Sequence, residues 1–143
     1  MRTGCMAKRL LVPVDGSDPA DAALEEYPDA DITVLSVIDP TDVGYGSIEA
    51  APSTFEHLQK SAEERTQKVL DEAEARAADH DMTVTAETVI GMPSRAIVEW
   101  AENNDVDGIV IGSHGRQGVT RVLLGSVAES VVRRSPVPVT VVR

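Results

Sequence analysis

Five short apolar runs punctuate this chain, and a stretch with helical spacing separates each from the next. The runs are "KRLLVPVD" (8–15), "ITVLSVI" (32–38), "TVTAETVI" (83–90), "GIVIG" (108–112) and "VPVTVV" (137–142). Their enrichment in Val, Ile and Leu and their bounding turn residues read as strands. Most are apolar at successive positions instead of alternating, so both faces of such a strand need cover. Only 83–90 alternates, weakly, and reads as a more exposed strand. The order strand–helix–strand repeats to the end, which argues for an α/β fold: a single-domain, five-stranded parallel sheet with helices on both faces, Rossmann-like.

The helices have recognisable starts and stops. Ser17-Asp18-Pro19 offers a cap and a first-turn proline for a helix over about 19–27, closed by Pro28. Ser53-x-x-Glu56 has the form of a capping box for the longest helix, 53–80. Phe55, Leu58, Ala62, Val69, Ala73 and Ala77 fall close to one face of it. Gly91-Met92-Pro93-Ser94 turns into a helix over about 94–104, where Ile97, Trp100 and Ala101 share a face and read as core. Ser126-x-x-Glu129 is a second capping-box pattern, opening a helix over 126–134. Residues 1–7 read as a flexible N-terminal lead before a domain spanning 8–143.

Composition excludes several classes of function. Of the 143 residues, 42% are apolar but only 3% aromatic, too few rings for a platform that stacks single-stranded nucleic acid. The net charge of −11 repels nucleic acids and anionic membranes, so neither is expected as a partner. One cysteine, Cys5, permits no internal disulfide. With no apolar run of membrane-spanning length, a soluble, cytoplasmic protein is expected. The charge is unevenly shared: residues 108–143 hold five arginines and one acid, giving +4, so the other 107 residues carry −15. Two readings fit: a mostly buried C-terminal third with few sites for acids, or a basic funnel for a small anion. High intracellular salt is one setting that favours so acidic a surface, and it predicts better solubility and folding from low to molar KCl.

The segment "GSHGRQGVTRVLLGS" (112–126) joins the fourth strand to the last helix and contains four glycines, two arginines and no acid. It lacks the Gly-Lys-Ser/Thr of a P-loop, and its first glycines are not spaced as G-x-G-x-x-G. Its chemistry nonetheless suits a phosphate: glycines allow close backbone approach, Arg116 offers a planar fork, and Gly125-Ser126 opens a helix with free N–H groups. A structural reading stands beside this, in which the glycines shape a sharp strand exit and Ser126 caps its own helix. Asp15 is either a polar hook for a ribose or a turn residue. His114 has no partner at metal or catalytic spacing. In open parallel sheets a ligand sits at the strands' carboxyl ends, where the strand order reverses. The first and fourth strands would form that crevice if they are neighbours.

These residues resemble the universal stress protein family. Gly112-x-x-Gly115, then nine residues, then Gly125-Ser126 matches that family's nucleotide motif. "VPVDGS" (12–17), "VLSVID" (34–39), "VIGMPSRAIVEWA" (89–101) and 107–143 extend the likeness over nearly the whole chain. The resemblance implies an adenine nucleotide alpha-hydrolase-like fold with the first and fourth strands adjacent. It implies ATP binding with Mg2+ or Mn2+ held through the phosphates. Pro13, Val14 and Asp15 match positions at the adenosine end, and Val37 an adenine contact. Ile111, Gly112, Ser113, His114, Gly115, Arg116 and Gln117 match the loop around ribose and phosphates; Gly125, Ser126 and Val127 match the phosphate-binding helix start. A homodimer through the last strand, 137–142, is also implied. One departure is the first helix, shorter than is usual in the family, which narrows the helical cover on one face.

The expectation is therefore an ATP-binding stress-response sensor or switch. No residue of the loop supplies a catalytic base, so any hydrolysis is expected to be slow. The alternative is a dimeric interaction module that needs no nucleotide. An ATP pyrophosphatase would need additional substrate-binding segments for which this length leaves little room.

Overall fold

The computed structural model describes residues 8–14, 19–40, 52–112 and 125–142. Nine elements follow one another: β1 (Arg9–Pro13), α1 (Pro19–Glu26), β2 (Asp31–Ile38), α2 (Pro52–Asp79), β3 (Thr85–Ile90), α3 (Pro93–Asn103), β4 (Gly108–Gly112), α4 (Ser126–Arg134) and β5 (Val139–Val142). The strands form one sheet in the order β3-β2-β1-β4-β5, and every pair is parallel. The five-stranded α/β architecture expected from the alternating runs is thus observed.

The sheet divides the interior into two apolar layers because successive strand residues point to opposite faces. Leu10, Val12 and Val14 of the first strand segment meet Ala23 and Leu24 of α1 and Leu70, Ala73 and Ala77 of α2. Leu11, Leu35, Ile109 and Ile111 meet Ile97 and Ala101 of α3 and Ala128 and Val131 of α4 on the other face. Leu11, Val12 and Leu35 have no exposed surface at all. Trp100 packs, half-buried, against the second layer, as its spacing on the helix predicts.

Several boundaries differ from expectation for local reasons. The last strand begins at Val139, not Val137, because Pro138 has no N–H to give the ladder. Ser135 also folds the chain there: its hydroxyl donates to the Val137 carbonyl at 2.6 Å and accepts from the Val137 N–H at 3.1 Å. The long helix starts at Pro52, which places Ser53 inside its first turn and not at the cap. Phe55 and Leu58 lie outside the described side chains, and Ser17 and Asp18 outside the described residues. Leu70, 3% exposed, belongs to the buried face of α2 although the spacing argument did not single it out.

At the sheet's amino end, β1 and β4 are tied by a reciprocal pair. The Arg9 N–H donates to Asp107 Oδ2 at 2.8 Å, and the Asp107 N–H donates to the Arg9 carbonyl at 2.7 Å. Beside it, Gly108 is hemmed in: a Cβ there would lie 3.3 Å from Leu10 Cδ2 and 3.4 Å from the Pro138 carbonyl oxygen. The two central strands therefore approach closely and in register, Leu10 beside Gly108 and Leu11 beside Ile109.

Candidate functional site

The chain leaves β1 toward β2 and β3 on one side, and later returns to β4 and β5 on the other. The reversal falls between β1 and β4, which are paired neighbours. Parallel sheets open a crevice at such a point, beyond the carboxyl ends of the two strands. Pro13 and Val14 lie at the carboxyl end of β1, and Ile111 and Gly112 at that of β4.

Each of these residues can do something different there. Val14 is 6% exposed and its side chain belongs to the layer under α1 and α2. Its N–H donates to the Leu35 carbonyl at 2.9 Å, which ties the end of β1 to β2. Pro13 alternates to the face of α3 and α4 and is half-buried. Val37 is half-buried and packs on that same face, opposite Val89 in register. Ile111, 5% exposed, and the half-buried Val127 complete an apolar wall there. Such a wall suits a flat heterocycle, with polar groups needed only at its rim.

The polar rim is the start of α4. Its N-cap is Gly125, with φ −63° and ψ 157°, and among the described residues no side chain caps the helix. Ser126 is thus the first helical residue, and the capping-box reading of Ser126 and Glu129 is corrected. The first bond of the helix runs instead from the Glu129 N–H to the Gly125 carbonyl at 2.9 Å. The physical reason is that Gly125 already has the extended backbone a cap requires, which puts Ser126 one position too late. The N–H groups of Ser126, Val127 and Ala128 have no partner within the helix and lie at its positive end. With Gly125 as the cap, Ala128 is the third helical residue and its amide joins the set, a position that the capping-box spacing of Ser126 and Glu129 conceals in the sequence.

The basic funnel is corrected in part. Arg133 and Arg134 occupy the last turn of α4, about 12 Å from its start along the axis. There they favour the helix's negative end, and Arg133 is joined to Glu129 at 2.8 Å. Two of the five arginines therefore serve the helix and not the crevice. Arg116, Arg121 and Arg143 lie outside the described residues, as do Asp15, Ser113, His114, Gly115 and Gln117.

A switch-point crevice with an apolar wall and an uncapped helix start, in a chain that spaces its glycines this way, matches one family throughout. The family model for the universal stress proteins covers residues 6–143. This chain belongs to the universal stress protein family. It is 33% identical over 144 residues to the universal stress protein MJ0531 of Methanocaldococcus jannaschii, spanning 95% of this chain and 82% of that one. The solved structure of MJ0577, from the same organism, superposes with a TM-score of 0.79 at 30% identity and covers 96% of both chains. A universal stress protein in complex with cAMP superposes with a TM-score of 0.65 at 26% identity, covering 96% of this chain and 98% of its own. Among the described residues of this universal stress protein, no helix is long and apolar enough to cross a membrane. None of those residues form a group of three or more His, Cys, Asp or Glu able to hold a metal.

Proposed function

We propose that this universal stress protein binds an adenine nucleotide, ATP foremost, in the crevice between β1 and β4, and acts as a nucleotide-dependent sensor or switch in a stress response. The observation that carries the reading is the uncapped start of α4 at the carboxyl end of β4. It offers three amides to an anion beside the apolar wall of Pro13, Val37, Ile111 and Val127. The cAMP complex of a relative supports the adenine part of the reading. The residues present fit such a ligand: heterocycle against the wall, phosphates toward Ser126 to Ala128, and Arg116 and the glycines of 112–125 as further proposed contacts. Asp15 is assigned to the adenosine end, and Ser113, His114, Gly115 and Gln117 to the ribose and phosphates, as proposed contacts. A divalent cation, Mg2+ or Mn2+, would be carried by the phosphates and would neutralise part of their charge. Isothermal titration with Mg-ATP tests the proposal, and the absence of heat at millimolar ATP removes it.

A second reading has its own observation. β5 is the outermost strand, with Val139 and Val141 half-buried, and Val132 of the adjoining α4 is 44% exposed. An apolar edge of this kind tends to pair with another strand, which favours a homodimer formed through β5. A module that only dimerises would need nothing from the crevice. Gly115→Val separates the two readings: the switch loses its ATP response and keeps its assembly, whereas a pure module has no ATP response to lose.

A further inference from the structure

The sheet has two edges, and β3 is the longer, in unbroken register with β2 from Thr33 beside Thr85 to Ile38 beside Ile90. Two bonds fix which way its backbone points. The Gly91 N–H donates to the Ile38 carbonyl at 2.9 Å, while the Leu35 carbonyl accepts from the Val14 N–H on the β1 side of β2. Backbone groups alternate direction along a strand, so Thr85, Glu87 and Val89 face β2. Ala86, Thr88 and Ile90 turn their N–H and C=O groups outward, and among the described residues nothing bonds these six groups. Lysine, proline or a bulge commonly blunts such an edge. β3, TAETVI, has none of them, and Glu87 is its single charge. Two of the three large apolar side chains exposed among the described residues, Ile90 at 66% and Met92 at 62%, stand at its carboxyl end.

We propose that β3 is a second assembly edge, which pairs antiparallel with β3 of another copy of this chain about a two-fold axis at Thr88. A second copy fits because the strand complements itself in one register. Centring on Thr88 sets Thr88 beside Thr88 and Ala86 beside Ile90, and each such pair exchanges two bonds, so all six outward groups are used. Centring one residue earlier leaves Ile90 unpaired and sets Glu87 against its own copy, which like charges disfavour. In the Thr88 register Glu87 meets Val89 instead. The side chains agree: Ala86 is half-buried in the layer under α1 and α2, and Ile90 shares its face by alternation. Each exposed isoleucine then covers the small alanine of the other copy. One pair of six-residue strands falls short of the roughly 1,200 Å² typical of stable complexes. The contact therefore closes near millimolar protein and is open at micromolar protein, where β5 alone would hold a dimer. It needs no nucleotide. Where β5 also pairs, the two edges do not close on each other, and copies add in a line.

Cysteine cross-linking of the full chain tests the register. Cys5, the single cysteine, is first replaced by serine. Thr88→Cys and Thr85→Cys are then oxidised side by side at near-millimolar protein, in about 0.5 M KCl to screen the repulsion between two chains of −11. Both threonines are exposed on the same strand. The α-carbons of the Thr88 pair would lie about 5.5 Å apart, within reach of a disulfide. Those of Thr85 would lie about 20 Å apart. Covalent dimer is expected on the order of tenfold more from Thr88→Cys. Equal yields from the two, or none from either, overturn the proposal. Thr88→Pro gives a second test, since it removes an N–H that faces away from β2 and an edge strand tolerates proline there. Its far-UV circular dichroism should match that of the parent. Its association constant at near-millimolar protein, by sedimentation equilibrium, should fall on the order of tenfold. A folded Thr88→Pro chain that associates as the parent does also overturns the proposal.

Discussion

Two aspartates hold backbone conformations that most residues avoid. Asp81 has φ 56° and Asp105 φ 49°, each just beyond the end of a helix, α2 and α3 respectively. At the first, the Met82 N–H donates to the Ala77 carbonyl at 2.8 Å and the Asp81 N–H to the Ala78 carbonyl at 3.0 Å. That pair of bonds is the Schellman arrangement, which glycine satisfies without strain. Met82 then turns inward and packs on the layer under α1 and α2. Asp81→Gly is expected to stabilise the protein by about 1 kcal/mol, because the side chain's left-handed penalty disappears. Thermal melting should report this as a rise of about 3 °C. Leu11 makes the opposite case: it is wholly buried at the middle of the central strand. Leu11→Ala should cost about 2–5 kcal/mol in a denaturant titration, through the cavity it leaves. Of these features the burial of Leu11 was legible from its place in an apolar run. The left-handed aspartates were not, since Asp is compatible with many loop conformations and nothing local demanded this one.

At the scale of elements, the start of α4 is the anion-binding part of the proposed site, and it shows where motif reading goes astray. Ser126 followed by Glu129 satisfies the spacing of a capping box, yet Gly125 is the cap. The spacing alone does not decide between the two, because helix ends are set by where the backbone leaves its extended conformation. Ser126→Ala should therefore change stability by less than about 0.5 kcal/mol, where loss of a true cap costs about 1 kcal/mol. Chemical denaturation distinguishes these outcomes. The ion pair of Arg133 and Glu129 is not expected to compensate for anything lost, since its side chains are 74% and 51% exposed. Exposed pairs one turn apart contribute about 0.3–0.5 kcal/mol. α1 is as short as its flanking prolines suggest, eight residues, and its buried contribution among the described side chains is Ala23 and Leu24.

For the whole molecule, the proposed assembly and the charge lead to separate measurements. If β5 pairs between two copies, Val141→Arg places a charge on the edge strand and should convert a dimer to a monomer in sedimentation analysis. The acidic surface should make thermal stability rise with KCl as self-repulsion is screened, independently of any ligand. The sequence by itself determined the class of fold, because apolar runs separated by helical spacing have few other ways to bury both faces of a strand. It also determined the spacing of Gly112 and Gly125, which the structure places at the end of β4 and at the cap of α4. What it left open was the crevice itself. The adjacency of β1 and β4, the face onto which Val37 and Val127 pack, and the remoteness of Arg133 and Arg134 all depend on strand order and helix direction. Only tertiary structure decided these, because the pairing of β1 with β4 joins residues nearly a hundred positions apart, such as Leu10 and Gly108, and no local preference encodes a partner at that distance.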